Sequence, residues 1–469
     1  MLSNLNGQHL IVNDYGGENT SFFLDKYERR SHIKIVNSKE NKNVGLDFTD
    51  LNNLMYLDTL IIENLHGDIR FANGLLKLKP SKTHLIIKAK GNVLFSSHSE
   101  YIASSTVEIE SAGTVFINGT GYKNASGLLK INSRNLEIAN DGIQQRDGLF
   151  LACILDTLNI SGLGIINENT DLIIEASYVK LKESGITSTN LVDISNGRDI
   201  HIEGNGINTR KLHISSQSLH IQETGIRIKN GQSNINAKSI NINGNGINSI
   251  QSYLSISNFD TLSIKGSGIT ANESQFVIKN GIVTNLNDNG IIATKTEVTL
   301  SEIEYLEIND SGILLNKSPL TISLIGSLDI NGEGIYSDTE PLNFSADVVN
   351  VATKPTGGSG IRTKHADINI NFGKQITVSS NGISSLNGSI TLDGTGDVSV
   401  KYGGIFTTDS NILVRSKKGH ITLGGYNLNT AHNTNSKVGV LDTFKIDQSR
   451  LTLLTEPAVG AGNVAIKTN

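Results

Sequence analysis

Residues 241–249 read Asn-Ile-Asn-Gly-Asn-Gly-Ile-Asn-Ser. The core of this stretch, Gly244-Asn245-Gly246-Ile247-Asn248, also occurs forty residues earlier as Gly204-Asn205-Gly206-Ile207-Asn208. Two glycines one residue apart suggest a phosphate-binding loop, whereas the recurrence suggests a structural repeat. A dinucleotide fingerprint needs a third glycine or an alanine three residues on, opening a helix. After Gly206, Gly246 and Gly268 those positions hold Thr209, Ser249 and Ala271. Only Ala271 is small enough, and it precedes an alternating segment around Phe276 and Ile278 rather than a helix pattern.

The repeat reading carries much further. Gly-Ile pairs begin at Gly142, Gly164, Gly185, Gly206, Gly225, Gly246, Gly268, Gly290, Gly312, Gly334, Gly360, Gly382 and Gly404. Successive steps are 21 or 22 residues, apart from 19 before Gly225 and 26 before Gly360. Gly121-Tyr122 and Gly425-Tyr426 extend the series by one step at each end, whereas Gly281-Ile282 falls off the beat. A fixed period of this length is the signature of a solenoid.

Apolar columns accompany the glycines. Four residues before the glycine stand Ile160, Leu181, Ile202, Ile221, Ile242 and Ile264, and two residues earlier stand Leu158, Val179, Ile200, Leu219, Ile240 and Leu262. Polar residues such as Asn159, Lys180, His201, His220 and Asn241 separate the two columns. This period-two alternation describes a strand with one face inward. Eight and ten residues after the glycine a second pair recurs, for example Leu254/Ile256 and Phe276/Ile278. One such coil cannot bury its own apolar side chains, but stacked coils align them into a continuous core. The expected fold is therefore all-β: a single long right-handed parallel β-helix, or β-solenoid, with coils of about 22 residues and capped ends. Right-handed winding follows from the preference of parallel crossovers.

The beat is clearest over residues 115–430 and weaker before residue 100, where the pairs Leu60/Ile62, Ile69/Phe71, Leu85/Ile87 and Val93/Phe95 persist. Residues 1–35 are read as an N-terminal cap, 36–440 as the β-helix and 441–469 as a C-terminal cap or tail. The 26-residue step contains Ala-Thr-Lys-Pro355-Thr-Gly-Gly, a looped-out insertion at a corner.

Composition narrows the function classes. The chain has 469 residues, no Trp, 47 Gly, 5 Pro and a net charge of -5. A mildly acidic chain offers no electrostatic footprint for nucleic acid. No apolar run approaches the roughly 18 residues of a membrane span. The single cysteine, Cys153, lies in the apolar run Leu-Phe-Leu-Ala-Cys-Ile-Leu and is expected to be a buried, inert thiol. The N-terminus has no cationic segment followed by an apolar one, so a cleavable signal peptide is not expected.

The chemical motifs have simpler structural explanations. The second glycine of each pair is expected to turn the corner with a backbone angle other residues avoid. A calcium-binding nonapeptide needs aspartate where Gly357-Gly358-Ser359-Gly360-Ile361 is followed by Arg362. Small polar residues before the glycine, such as Ser184, Asn205, Thr224, Asn245 and Ser267, are expected to form corner ladders. Asp288 and Asp310 are one coil apart, and Glu183 and Glu223 two coils apart. A glycosidase pair needs roughly 5–9 Å between carboxyls, but no basic residue shares their column, and turn residues explain them more simply. His201 and His220 share an outward column with His213 between them in sequence; histidine is the commonest zinc ligand, yet two of 11 histidines stacking on a repetitive surface is unsurprising. No residue is assigned to catalysis, to a cofactor or to a metal.

The units Ser-Ile-Asn-Ile-Asn-Gly, Thr-Leu-Ser-Ile-Lys-Gly-Ser-Gly-Ile and Ser-Leu-Asp-Ile-Asn-Gly-Glu-Gly-Ile resemble the repeats of bacterial β-helical surface proteins, the filamentous-haemagglutinin-like adhesins and related exoproteins. The resemblance is one of architecture over roughly residues 60–430, and no functional residue carries over from it. It implies a non-catalytic, adhesin-like or toxin-associated rod, secreted or on the cell surface, that presents polar faces to a protein or glycan. The alternatives are a polysaccharide lyase or hydrolase and a structural component of a larger secreted or phage-like assembly.

Overall fold

A computed structural model describes residues 2–5, 9–13, 32–37, 46–48, 58–71, 84–95, 102–104, 106–119, 122–353, 358–380, 382–401, 404–408, 412–424, 428–430, 444–447 and 451–454. Every regular element among them is a β-strand. Among the described residues no helix is long and apolar enough to cross a membrane. The chain divides into two compact units, Met1–Ile228 and Lys229–Asn469.

The first unit opens with antiparallel pairing of Leu2–Leu5 with His9–Asn13. From there the pairing is parallel, His9–Asn13 with His32–Asn37, then Thr59–Asn64, His84–Ala89 and Thr106–Ile117. The stack continues through Tyr122–Ile138, Ile143–Ile160, Ile165–Leu181, Leu191–Ile202 and Lys211–Ile221. The second unit repeats the scheme from Gln232–Asn243 through Tyr253–Lys265, Gln275–Leu286 and Glu297–Asn309. Its parallel pairing runs on to Phe444–Asp447 and Leu451–Leu454, past the residue-440 boundary drawn from the beat. Most of the two stretches read as caps, residues 14–31 and 455–469, lies outside the described residues.

One coil shows why the sequence folds this way. Ile186–Ser188 forms a short face with Ile186 and Ser188 inward. Leu191–Ile202 forms two more, with Val192 and Ile194 inward on one and Ile200 and Ile202 on the other. The strand bends between them at Asn196, whose φ is +62°. Every apolar column read from the sequence is buried, and its members pair in register coil upon coil, as Ile200 does with Val179 and Leu219.

Two columns contain a surprise. Thr284 stands between Leu262 and Leu306, fully buried, with no partner for its hydroxyl. At the long step, Val351 fills the place between Ile330 and Val378. The beat hides this residue because the extra length falls after it; Lys354 to Gly357 lie outside the described residues.

The corners show the expected left-handed backbone at the second glycine, with φ of +55° at Gly142, +62° at Gly164 and +47° at Gly185, and they add a second such position. The residue two before the paired glycine also has a left-handed backbone, with φ of +70° at Gly204, +78° at Gly244 and +79° at Gly266. Where this residue is not glycine it adopts the same conformation, as at Asn140, Glu183, Glu223, Asp288 and Asp310. The requirement there is a backbone angle, which asparagine and acidic residues meet at modest cost. The second glycine answers a steric demand as well. A Cβ on Gly246 would overlap Cγ2 of Ile242 and the carbonyl oxygen of Gly268 on the next coil. That carbonyl accepts the Ile247 N–H at 2.9 Å, and the bond repeats from Ile269 to Gly290 and from Ile291 to Gly312.

Cys153 is also corrected. It is exposed, because alternation turns Phe150, Ala152 and Ile154 inward and leaves Cys153 on the outer face. An apolar run conceals its own parity, and only the inward neighbours reveal which half is buried.

Candidate binding faces

In the first unit, outward residues of five successive coils form one row: Glu63, Lys88, Glu110, Asn132 and Cys153. The row borders a groove of about 530 Å³ where the chain turns the next corner, with Asn64 and Leu155 among its walls. The acids and bases of the row are paired. Lys88 Nζ lies 3.0 Å from Glu110 Oε2, and Lys34 Nζ lies 3.0 Å from Glu63 Oε2. The hydrogen bond to Glu110 holds the Lys88 ammonium above its usual range against partial desolvation, with Glu63 and Glu108 adding to it. Burial and the nearby Glu175 carboxylate push the Cys153 thiol up, partly offset by Lys130. The thiol is therefore exposed but poorly nucleophilic, since the thiolate is the reactive form. Leu155 is 80% exposed at the groove edge.

In the second unit a polar groove of about 480 Å³ follows an asparagine ladder. Asn331 Nδ2 donates to Asn309 Oδ1 at 3.2 Å, and Asn309 Nδ2 donates to Asn287 Oδ1 at 3.1 Å. Asp310, Gly332 and Thr353 complete the wall. Stacked amides of this kind bind one another along the coil direction and leave their remaining donors and acceptors outward.

The acidic column noted in the sequence serves its corners. Glu183 Oε2 accepts the N–H of Gly162 at 2.9 Å, and Asp288 Oδ2 accepts the N–H of Gly266 at 3.2 Å. Each caps the corner one coil below, from a residue that turns its own corner with positive φ.

Side-chain ladders occur in columns other than the expected one. The small polar residues before the glycine contribute their backbone: Ser184 N–H donates to Gly162 and Asn205 N–H to Glu183. The side-chain ladders include the asparagines above, a second asparagine run at Asn236, Asn258 and Asn280, and a run of hydroxyls at Ser252, Ser274, Thr296 and Ser318. The N–H of each residue donates to the next hydroxyl, at 3.2, 3.1 and 3.0 Å. Each hydroxyl donates in turn to the carbonyl two residues back, as Ser252 does to Ile250 at 2.7 Å. Their 22-residue spacing, six residues after each paired glycine, was available in the sequence.

His201 and His220 do stack, with ring centroids 4.6 Å apart and planes 19° apart. His213 pairs in register with Asp193, in a different column. The sequence reading missed Asp199, which alternation places on the same outer face as His201, two residues away. Its Oδ2 lies 2.9 Å from His201 Nε2.

Comparison of the chain with family models, with characterised proteins and with solved structures finds no match.

Proposed function

We propose that this protein is a non-catalytic, adhesin-like scaffold whose outer faces bind a protein or a glycan. The observation that supports this reading most is the asparagine-lined groove of the second unit, where Asn287, Asn309 and Asn331 recur once per coil. A row of amides with a fixed repeat suits an extended polymer rich in hydroxyls, because each amide offers both a donor and an acceptor. The groove of the first unit supports it differently. It combines an apolar edge at Leu155 with paired charges, a composition common to protein and sugar contacts.

The reading of a polysaccharide lyase or hydrolase has one observation in its favour: Glu63 and Glu110 flank Lys88 on one groove wall. Both carboxylates are engaged in ion pairs with lysines, whereas glycoside hydrolysis needs two carboxyls facing the scissile bond. A glycan array read together with a reducing-sugar release assay separates the two. Binding without release, weakened by Asn309→Ala, supports the scaffold. Release of sugar that is abolished by Glu110→Gln overturns it.

A further inference from the structure

We infer that Asp199, His201 and His220 form a binding site for a borderline divalent cation, of which Zn²⁺ is the type. The site follows from alternation and register alone. Asp199 and His201 are two apart on the strand Leu191–Ile202 and so share its outer face. Parallel pairing sets Ser218 beside Asp199 and His220 beside His201. Two imidazoles and a carboxylate thus converge on one patch, and their ligand atoms all lie within 4.8 Å of one another.

The geometry is close to what the ion requires. Zn²⁺ bound by nitrogen and oxygen at about 2.0–2.1 Å in a tetrahedron sets its ligand atoms roughly 3.3 Å apart. Nε2 of His201 lies 2.9 Å from Asp199 Oδ2, and Nε2 of His220 lies 3.6 Å from Asp199 Oδ1. Those distances run to the two oxygens of one carboxylate, and all the ligand atoms lie within 4.8 Å of one another, so the rings close on a shared ion by tilting toward the carboxylate. Both rings direct the same nitrogen at one carboxylate.

A second observation points to a cation as the ligand. Asp199 Oδ1 is shielded from solvent and has no hydrogen-bond partner. A carboxylate oxygen held out of water without a donor is costly, and a cation shared with the two imidazoles removes that cost. The side chains of His201, His220 and Asp199 are 39%, 34% and 35% exposed, so an ion reaches them without local unfolding. Ser218 Oγ, 2.9 Å from His220 Nε2, competes for that nitrogen or releases it by rotation. Lys180 is the register neighbour of His201 on the preceding coil and is the one cation of its column beside the site; its flexible stem lets the ammonium move away. Imidazole and carboxylate ligands favour Zn²⁺, Co²⁺, Ni²⁺ or Cu²⁺ over Mg²⁺ and Ca²⁺, which take oxygen. Three protein ligands leave a coordination position for water or for a group from a partner.

The test is calorimetric titration of the chelator-treated full chain with ZnCl₂, then with MgCl₂. Saturable uptake of Zn²⁺ without uptake of Mg²⁺ is expected. His201→Asn, His220→Asn and Asp199→Asn should each weaken it by roughly tenfold or more, while His213→Asn leaves it unchanged. Co²⁺ gives a second readout, since its visible absorption reports tetrahedral nitrogen and oxygen ligation and should fade in the same three variants. Circular dichroism identifies any variant that fails to fold; the remaining variants and the Co²⁺ spectrum of the wild-type chain then decide. No saturable Zn²⁺ uptake by the wild-type chain overturns the proposal. So does wild-type affinity in the folded His201→Asn and His220→Asn variants.

Discussion

Ile247 lies in register beneath Ile269, and neither exposes any surface. Ile291 continues the line on the following coil. Ile269 is thus packed from above and below as well as from its own coil. Ile269→Ala is expected to cost about 2–5 kcal/mol, the usual range for emptying a close-packed aliphatic site. Ile269→Asp should cost more, because it buries a charge with no partner. Thermal unfolding of the variants checks both values. A change in midpoint within error for Ile269→Asp would refute the ladder.

The paired glycines should differ in their tolerance of alanine. At Gly246 a Cβ meets Ile242 and the next coil, and φ is already +22°. Gly246→Ala is expected to cost about 1–3 kcal/mol. At Gly290 the nearest neighbour of a built Cβ is 3.1 Å away and the backbone is ordinary, so Gly290→Ala should cost less. Urea unfolding midpoints rank the two; the reverse order would contradict the steric account.

The asparagine ladder should be worth a modest amount. Asn309 both donates to Asn287 and accepts from Asn331. Asn309→Ala removes two exposed or half-buried bonds, each with a net value of about 0.5–1.5 kcal/mol at most. The expected loss is therefore of order 1 kcal/mol, together with weaker ligand binding if the polar groove is the binding face.

Cys153 should alkylate slowly despite its exposure. Burial and Glu175 disfavour the thiolate, so the pH midpoint of iodoacetamide labelling should lie above that of a free thiol. Below that midpoint the thiolate fraction, and with it the rate, is lower than for free cysteine. Glu175→Gln removes one of the two upward influences and should move the midpoint down and speed labelling at neutral pH. An unchanged profile in that variant would leave burial as the sole cause.

Much of this architecture was readable from the residues, because its determinants are local and periodic. A strand face shows as alternation, as in Ile240-Asn241-Ile242, and a corner as the glycine that follows. What escaped the reading depends on neighbours distant in sequence. The parity of Cys153 was hidden in an unbroken apolar run. The demand on Gly246 comes from the carbonyl of Gly268, a contact that no propensity records. Asp199 was overlooked because the histidines were read down a column, whereas the carboxylate lies along the strand. Thr284 breaks its column with a buried hydroxyl, and nothing in the structure explains its choice.

The long step after Gly334 reaches beyond its own coil. Ile335 follows Ile330 by five positions, whereas Ile361 follows Val351 by ten. Yet Val351 pairs with Ile330 and Val378, and Ile361 pairs with Ile335 and Ile383. The surplus falls between Val351 and Ile361, and the next two described pairings of this face keep a 22-residue step, Ile361 with Ile383 and Ile383 with Ile405. Insertions into such a chain are therefore a matter of address. A bend absorbs any number of residues, while a face admits none, since a single added residue would turn its interior outward. New recognition loops have a ready point of entry between Val351 and Ile361, one that leaves the counting of the described coils after it intact.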